Sequence, residues 1–155
     1  MLIKKGNLIK KSLDGEFDII LYPCNCFFTP VSNTAKEIRE TFTFAKYVDK
    51  RTKEGDKNKM GGFSKCIVDL REFNFKINKK LIVINAYIYF SNEDPQFEYK
   101  YLESIFKFIK KKYSGKKLGF PLLGYGLKNV SINKICNIID RELEGEEYYL
   151  VIDSN

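Results

Sequence analysis

Residues 17–45, FDIILYPCNCFFTPVSNTAKEIRETFTFA, contain the strand, loop and helix that decide the fold. The apolar run Phe17–Tyr22 is typical of a buried strand. Thr34 followed by Glu37 predicts a capping box at the start of a helix. That helix then has apolar residues at helical spacing, at Ala35, Ile38, Phe42 and Ala45. A strand that leads through a loop into a helix is the repeating unit of an α/β sheet.

The rest of the chain supplies further elements of the same kind. Short β-branched or aromatic runs predict five more strands, at Leu2–Lys4, Cys66–Leu70, Leu81–Tyr89, Leu118–Phe120 and Tyr148–Ile152. Two more helices are predicted, one with its apolar residues between Leu102 and Tyr113, the other capped by Ser131. The order predicts a three-layer α/β/α fold with a mixed, mostly parallel sheet, in a single domain over residues 1–155.

Composition excludes several kinds of site. The chain has 155 residues, is 44% hydrophobic and contains no histidine. It can therefore bury a core, but it cannot form a Ser-His-Asp triad, a Cys-His dyad or a histidine-ligated metal site. Its four cysteines, without a secretory pattern at the amino terminus, indicate a reducing, cytoplasmic compartment. No metal, cofactor or membrane is expected, since the longest apolar run, Leu81–Phe90, is half a membrane span.

The net charge favours an anionic partner. Lys and Arg number 27 against 20 Asp and Glu, a balance of +7. Such a balance attracts nucleotide phosphates or nucleic acid without choosing between them. Much of the excess lies on one predicted helix face, so nucleic-acid binding is the less favoured alternative. It would use the basic stretches Lys50–Lys59 and Lys107–Lys117 and would weaken steeply with salt.

Two strand-to-helix loops offer a place for an anion. The first covers residues 22–33, and the second, residues 120–130, contains Gly124-Tyr125-Gly126. Each brings backbone N–H groups to a helix N-terminus, where an anion is favoured by free donors and by the helix dipole. Two such loops side by side can hold a pyrophosphate at the carboxyl ends of the strands. The Gly-x-Gly alone is weak support, because turns produce it freely.

A series of blocks along the chain resembles the macro domain family. The Lys5–Leu8 block, KGNL, resembles the family's KGDI/KGDL opening, and the Asp18–Phe27 block, DIILYPCNCF, resembles its DIIVHGCNCF strand and loop. Further similar blocks follow in order, at Thr34–Arg39, Lys53–Lys57, Ile84–Tyr87 and Gly119–Leu127. The Lys53–Lys57 block is similar to viral and bacterial members related to ADP-ribose-1″-phosphate phosphatases. The resemblance implies binding of ADP-ribose or a related adenine nucleotide.

The resemblance also implies site residues. The implied ligand-binding set is Asn7, Leu8, Asn25, Ser32, Asn33, Gly124, Tyr125, Gly126, Leu127 and Lys128. Asn7 stands where the family has an Asp that accepts from adenine, although it also suits an ordinary turn. Asn25 matches an Asn at the distal ribose and is the candidate catalytic residue, through a positioned water. Tyr125 replaces a small residue of the phosphate loop and either covers the ligand or is an exposed turn aromatic.

Three departures from the family pattern bear on activity. Val31 and Asn33 replace loop glycines, and a β-branched residue resists the positive φ that glycine allows. Tyr22 stands where phosphatase-like relatives have His, and Lys128 where ADP-ribosyl hydrolases have Asp. We therefore expect a binding module, such as one that sequesters an NAD-derived signal in a phage or bacterial anti-defence role. The alternatives are a phosphatase on ADP-ribose-1″-phosphate and an ADP-ribosyl hydrolase.

Overall fold

The computed structural model describes residues 1–153, which contain strands and helices along their whole length. The strands are β1 (Leu2–Lys5), β2 (Ile19–Cys24), β3 (Phe63–Asp69), β4 (Lys80–Tyr87), β5 (Leu118–Phe120) and β6 (Tyr148–Ile152). The helices are α1 (Leu8–Leu13), α2 (Asn33–Thr41), α3 (Thr43–Lys50), α4 (Tyr99–Tyr113) and α5 (Ile132–Glu142). Short 3₁₀ turns occur at Lys57–Lys59 and Leu70–Glu72.

The strands form one mixed sheet in the order β1-β6-β5-β2-β4-β3. Only β3 runs antiparallel to its neighbour within this sheet; the other pairs are parallel. β2 lies between β4 and β5 and is buried along its whole length, as expected of a strand covered on both faces. Its register with β4 runs from Ile19↔Ile82 to Cys24↔Tyr87. The predicted mixed, mostly parallel sheet is confirmed.

Helices cover both faces of the sheet. Alternate residues of a strand point to opposite faces, and β2 divides accordingly. Ile19 and Leu21 join a core shared with α4 and α5. Ile20 and Tyr22 join a second core with residues of α1, α2 and α3. This arrangement is the predicted three-layer α/β/α architecture.

The region before and after β2 differs from the prediction in its helices. The sequence pattern gave no sign of α1, which begins after Asn7 because the Asn7 Oδ1 accepts a hydrogen bond from Lys10 N at 2.9 Å. The predicted capping box at Thr34 is wrong. The helix begins two residues earlier, at Asn33, and Ser32 Oγ caps it by accepting from Ala35 N at 3.1 Å.

The single helix predicted to run past Phe42 is two helices. Phe42 has φ −104° and ψ 78°, outside the helical region, so the chain bends there between α2 and α3. Its side chain is buried and packs edge-on against Phe73, with the ring centroids 5.7 Å apart. Apolar periodicity alone does not show such a bend, because the buried residues on both sides keep helical spacing. No helix within residues 1–153 is long and apolar enough to cross a membrane.

Candidate ligand-binding cleft

A cleft of about 710 Å³ opens at the carboxyl edge of the sheet. Its walls are formed by residues at or after the ends of β2, β4, β5 and β6, which are neighbours in the sheet. The lining residues are Pro23, Val31, Ser32, Thr34, Tyr89, Ser91, Asn92, Pro95, Pro121, Leu122, Tyr125, Leu127, Val151, Ile152 and Asp153. This is the edge at which an α/β sheet places its ligands, because parallel strands deliver their following loops to the same side.

Two loops face this cleft, the first loop (residues 25–32, between β2 and α2) and the second loop (residues 121–131, between β5 and α5). Asn25 opens the first loop and is only 1% exposed. Its Nδ2 donates to Thr29 Oγ1 at 2.6 Å and to Asn92 Oδ1 at 2.8 Å, and its Oδ1 accepts from Phe27 N at 2.9 Å. Both amide hydrogens are therefore engaged within the protein.

A buried ion pair braces the middle of the first loop. Arg39 of α2 and Asp49 of α3 are joined by an Nη1–Oδ2 contact of 2.7 Å. Burial alone would lower the pKa of Arg39, but the hydrogen bond and charge of Asp49 raise it above its ordinary value. The Arg39 Nη2 also donates to the Phe28 carbonyl at 3.1 Å. Phe28 has φ 68°, a left-handed conformation that is costly for a non-glycine residue, and Arg39 helps to hold it there.

The residues that replace the family glycines leave the cleft open. Val31 is half-buried, packs against both cores and forms part of the cleft wall. Its neighbour Ser32 also lines the cleft while capping α2. Asn33 is exposed and is not among the lining residues. Val31 thus narrows the space between the loops without filling it.

The second loop is built on two glycines with positive φ. Gly124 has φ 76°, and its N–H donates to the Tyr89 hydroxyl at 2.8 Å. A Cβ at this position would lie 2.5 Å from Ile135 Cδ1, so any other residue needs a left-handed backbone and a shift of the buried Ile135 side chain. A Cβ at Gly126, where φ is 81°, would have no atom within 4 Å. Between them Tyr125 is 79% exposed and lines the cleft.

The predicted site residues divide into two groups. Ser32, Tyr125 and Leu127 come together in the cleft wall. The others do not line it, for different reasons. Asn7 caps α1, and Leu8 is buried in the core. Asn25 is buried and donates a hydrogen bond to Asn92, which lines the cleft in its place. Lys128 follows Leu127 and is exposed. Gly124, Gly126 and Asn33 lie next to lining residues without lining the cleft themselves.

Sequence reasoning missed Thr34, Tyr89, Ser91, Asn92 and Asp153 as lining residues. A signal for most of them was present. The predicted strand from Leu81 and the predicted strand from Tyr148 both end at the carboxyl edge, so the polar residues that follow them belong to the same face as the two loops.

The cleft has few groups that can exchange protons. Among the lining residues within 1–153, Asp153 is the charged one, and the other titratable groups are the hydroxyls of Tyr89 and Tyr125. Burial raises the pKa of Tyr89. Burial also raises the pKa of the Cys24 and Cys26 thiols, neither of which lines the cleft. Within residues 1–153, no group of three or more His, Cys, Asp or Glu residues is placed to hold a metal ion.

Comparison with known proteins relates the chain to solved structures only. No protein family and no curated protein matches it. The macrodomain of Thermus aquaticus DarG is 16% identical, covers 98% of both chains and has a TM-score of 0.65. The macrodomain of Mycobacterium tuberculosis DarG is 13% identical over 97% of this chain and 95% of its own, with a TM-score of 0.65.

A third similar structure is Thermosipho africanus DarTG in complex with ADP-ribose. It is 17% identical, covers 90% of this chain and 39% of its own, and has a TM-score of 0.67. Identities this low establish a shared fold and nothing finer.

Proposed function

We propose that this chain, which has the macrodomain fold, binds ADP-ribose or an ADP-ribose-derived nucleotide in the cleft and holds it without turnover. The observation that carries the proposal is a cleft of about 710 Å³ between two loops at the carboxyl edge of the sheet. This volume is in the range of small-molecule sites. A protein of the same fold, Thermosipho africanus DarTG, has been solved in complex with ADP-ribose.

We assign the adenine to the end of the cleft at β6. Asp153 lies there, beside the apolar Val151 and Ile152. A carboxylate is an acceptor and suits the exocyclic amine of adenine, while the aliphatic side chains suit the faces of the ring. Asn7, which the family resemblance implies for this role, uses its side-chain oxygen to cap α1. Asp153 takes over that role in our proposal.

We assign the pyrophosphate to the space between the start of α2 and the second loop. The first N–H groups of a helix have no partner within the helix and favour an anion. Ser32 places the start of α2 in the cleft wall, and the open surroundings of Gly126 allow a ligand to approach the backbone closely. In the described part of the chain no basic side chain lines the cleft, so backbone N–H groups bind the anion, and the exposed Lys128 adds positive charge nearby.

Binding without turnover follows from the chemistry of the cleft. A hydrolytic step needs a group that activates water. Asn25 has no free amide hydrogen to hold a water, and we assign the carboxylate of Asp153 to the adenine, at the end of the cleft away from the second sugar. Tyr89 has a raised pKa and already accepts from Gly124 N. A protein of this kind sequesters a nucleotide signal. Its cysteines are all free, which fits the cytoplasmic location that we propose.

Calorimetry with ADP-ribose tests the binding. We expect stoichiometric binding by the wild type and a loss of about threefold to tenfold in Tyr125→Ala, because an exposed aromatic that covers a ligand contributes modestly. The matched control is Tyr47→Ala, which removes an exposed tyrosine of α3 that does not line the cleft. Absence of ADP-ribose binding by the wild type, or equal losses in both variants, would contradict the proposal.

Incubation with ADP-ribose-1″-phosphate separates a binding module from the enzymatic alternative. We expect the ligand to be recovered intact by chromatography with no free phosphate. Steady phosphate release by the wild type would show that the protein is a phosphatase.

A further inference from the structure

Three side chains join the first loop to the segment that follows β4. Asn25, Thr29 and Asn92, which we call the clasp, are connected by the two hydrogen bonds that Asn25 Nδ2 donates, at 2.6 Å to Thr29 Oγ1 and 2.8 Å to Asn92 Oδ1. Asn92 Nδ2 completes the connection by donating to the Pro30 carbonyl at 3.1 Å. The clasp therefore holds the two segments together at one end of the cleft.

The members of the clasp differ in the hydrogen-bonding groups that they leave free for a ligand. Asn25 is buried and has no amide hydrogen left. Asn92 is exposed and lines the cleft, and its Oδ1, which accepts one hydrogen bond from Asn25, keeps a second lone pair. Asn92 is thus the one member of the clasp that is both held in place and open to the cleft.

The order of the strands places Asn92 far from Asp153. Asn92 follows β4 and Asp153 follows β6, and β2 and β5 lie between these strands. Three steps of about 4.8 Å between neighbouring strands put the two ends of the cleft about 14 Å apart. A ligand with its base at Asp153 and its pyrophosphate between the loops then extends its second sugar toward Asn92.

We propose that Asn92 is the specificity-determining residue for the second sugar of the nucleotide, and that Asn25 is a positioning residue that acts through Asn92. The inference rests on the proposed function. The Asn92 Oδ1 accepts a hydrogen bond from a sugar hydroxyl, while Asn25 sets the position and direction of that oxygen. In this proposal the exposed amide of Asn92 binds the second sugar, and the buried amide of Asn25 holds Asn92 in place.

Calorimetry with ADP-ribose and ADP, which lacks the second sugar, tests the role of Asn92. In Asn92→Ala we expect ADP-ribose binding to weaken about tenfold and ADP binding to stay within about twofold. The matched control is Asn74→Ala, an exposed asparagine between β3 and β4 at the opposite edge of the sheet. It should change neither affinity.

The positioning role of Asn25 is tested by a double-mutant cycle. Asn25→Asp keeps the acceptor for Phe27 N but lacks the two donors of the clasp. As a single substitution, Asn25→Asp should lower the ratio of the ADP-ribose affinity to the ADP affinity. When added to Asn92→Ala, it should not change that ratio further. Since Asn92 is exposed, its variant remains informative even where Asn25→Asp fails to fold.

The outcomes separate this inference from the proposed function. Suppose that the wild type binds ADP-ribose. If Asn92→Ala then leaves the affinity for ADP-ribose unchanged, or weakens the binding of ADP-ribose and ADP equally, the inference about Asn92 is overturned and the proposed function stands. A wild type that binds neither ligand overturns both. Additive effects of the two substitutions overturn the positioning role of Asn25.

Discussion

The two loops that face the cleft are held in different ways. The first loop contains no glycine between Asn25 and Ser32, and buried or half-buried side chains of other elements hold it. Arg39 donates to the Phe28 carbonyl, and Lys59 Nζ donates to the Cys26 carbonyl at 3.1 Å. The second loop depends instead on glycine conformations and on backbone groups, such as the Gly124 N–H that reaches Tyr89.

This difference shows how a loop can keep a left-handed backbone without glycine. Glycine allows a left-handed backbone at little steric cost, whereas any other residue must be held there by its surroundings. In the first loop that support comes from a charged pair that is almost fully buried, Arg39 at 5% and Asp49 at 1% exposed. The charged support of the first loop is therefore buried beneath it, and the second loop is the more exposed wall.

The largest effect is expected from breaking the buried pair. Asp49→Asn leaves the Arg39 guanidinium buried without a counter-charge, so we expect the free energy of unfolding to fall by about 3–5 kcal/mol. Urea denaturation measures it. Glu103→Gln, which breaks the exposed pair with Arg141, is the control and should cost less than about 0.5 kcal/mol. Similar small losses in both variants would show that the pair does not support the first loop.

The second loop should respond to substitutions at its glycines. Gly124→Ala combines a left-handed φ with a Cβ 2.5 Å from Ile135 Cδ1, and we expect a loss of about 2–4 kcal/mol in the free energy of unfolding. Gly126→Ala has the same kind of φ but open space, so it should cost about 1 kcal/mol. Urea denaturation measures both losses in the free energy of unfolding, and the difference between them gives the cost of packing a Cβ against Ile135 of α5. Equal losses would mean that Ile135 simply moves aside.

The contrast between the loops also explains what the sequence could predict. The strands were placed within a few residues because β-branched and aromatic runs report burial directly. The second loop was recognised from Gly124 and Gly126, whose conformational role belongs to the residue type itself. The supports of the first loop were not recognised, because Arg39 and Asp49 are ordinary helix residues until α2 and α3 bring them together.

The same limit applied to Asn25. Its position after β2 indicates a place near the cleft, but whether its amide faces the cleft or bonds within the protein depends on Asn92, 67 residues away along the chain. Local patterns contain no information about such a pairing. At the helix bend, the Phe42 ring likewise packs against Phe73, a residue beyond β3 that local patterns do not connect to it.

The smallest effect tests the second support of the first loop. Lys59 Nζ donates to the Cys26 carbonyl and to Thr52 Oγ1, and it lies 4.8 Å from the centre of the Phe28 ring. Lys59→Met removes these contacts but keeps most of the aliphatic chain. Because the Cys26 carbonyl still accepts from Gly55 N at 2.8 Å, no buried acceptor is left unpaired. We therefore expect a loss of only about 1 kcal/mol in the free energy of unfolding.

Salt dependence distinguishes this support from surface charge in general. Lys59 is half-buried, so the loss in Lys59→Met should persist at about 0.5 M salt, where exposed charges are screened. Lys53→Met, which removes an exposed lysine of the same segment, should change stability little at either salt concentration. If the two lysine variants behaved alike, Lys59 would not support the first loop, which would depend on the Arg39–Asp49 pair and on the clasp. The effect of Asp49→Asn would then measure the support that the charged side chains give to that wall of the cleft, separate from the clasp.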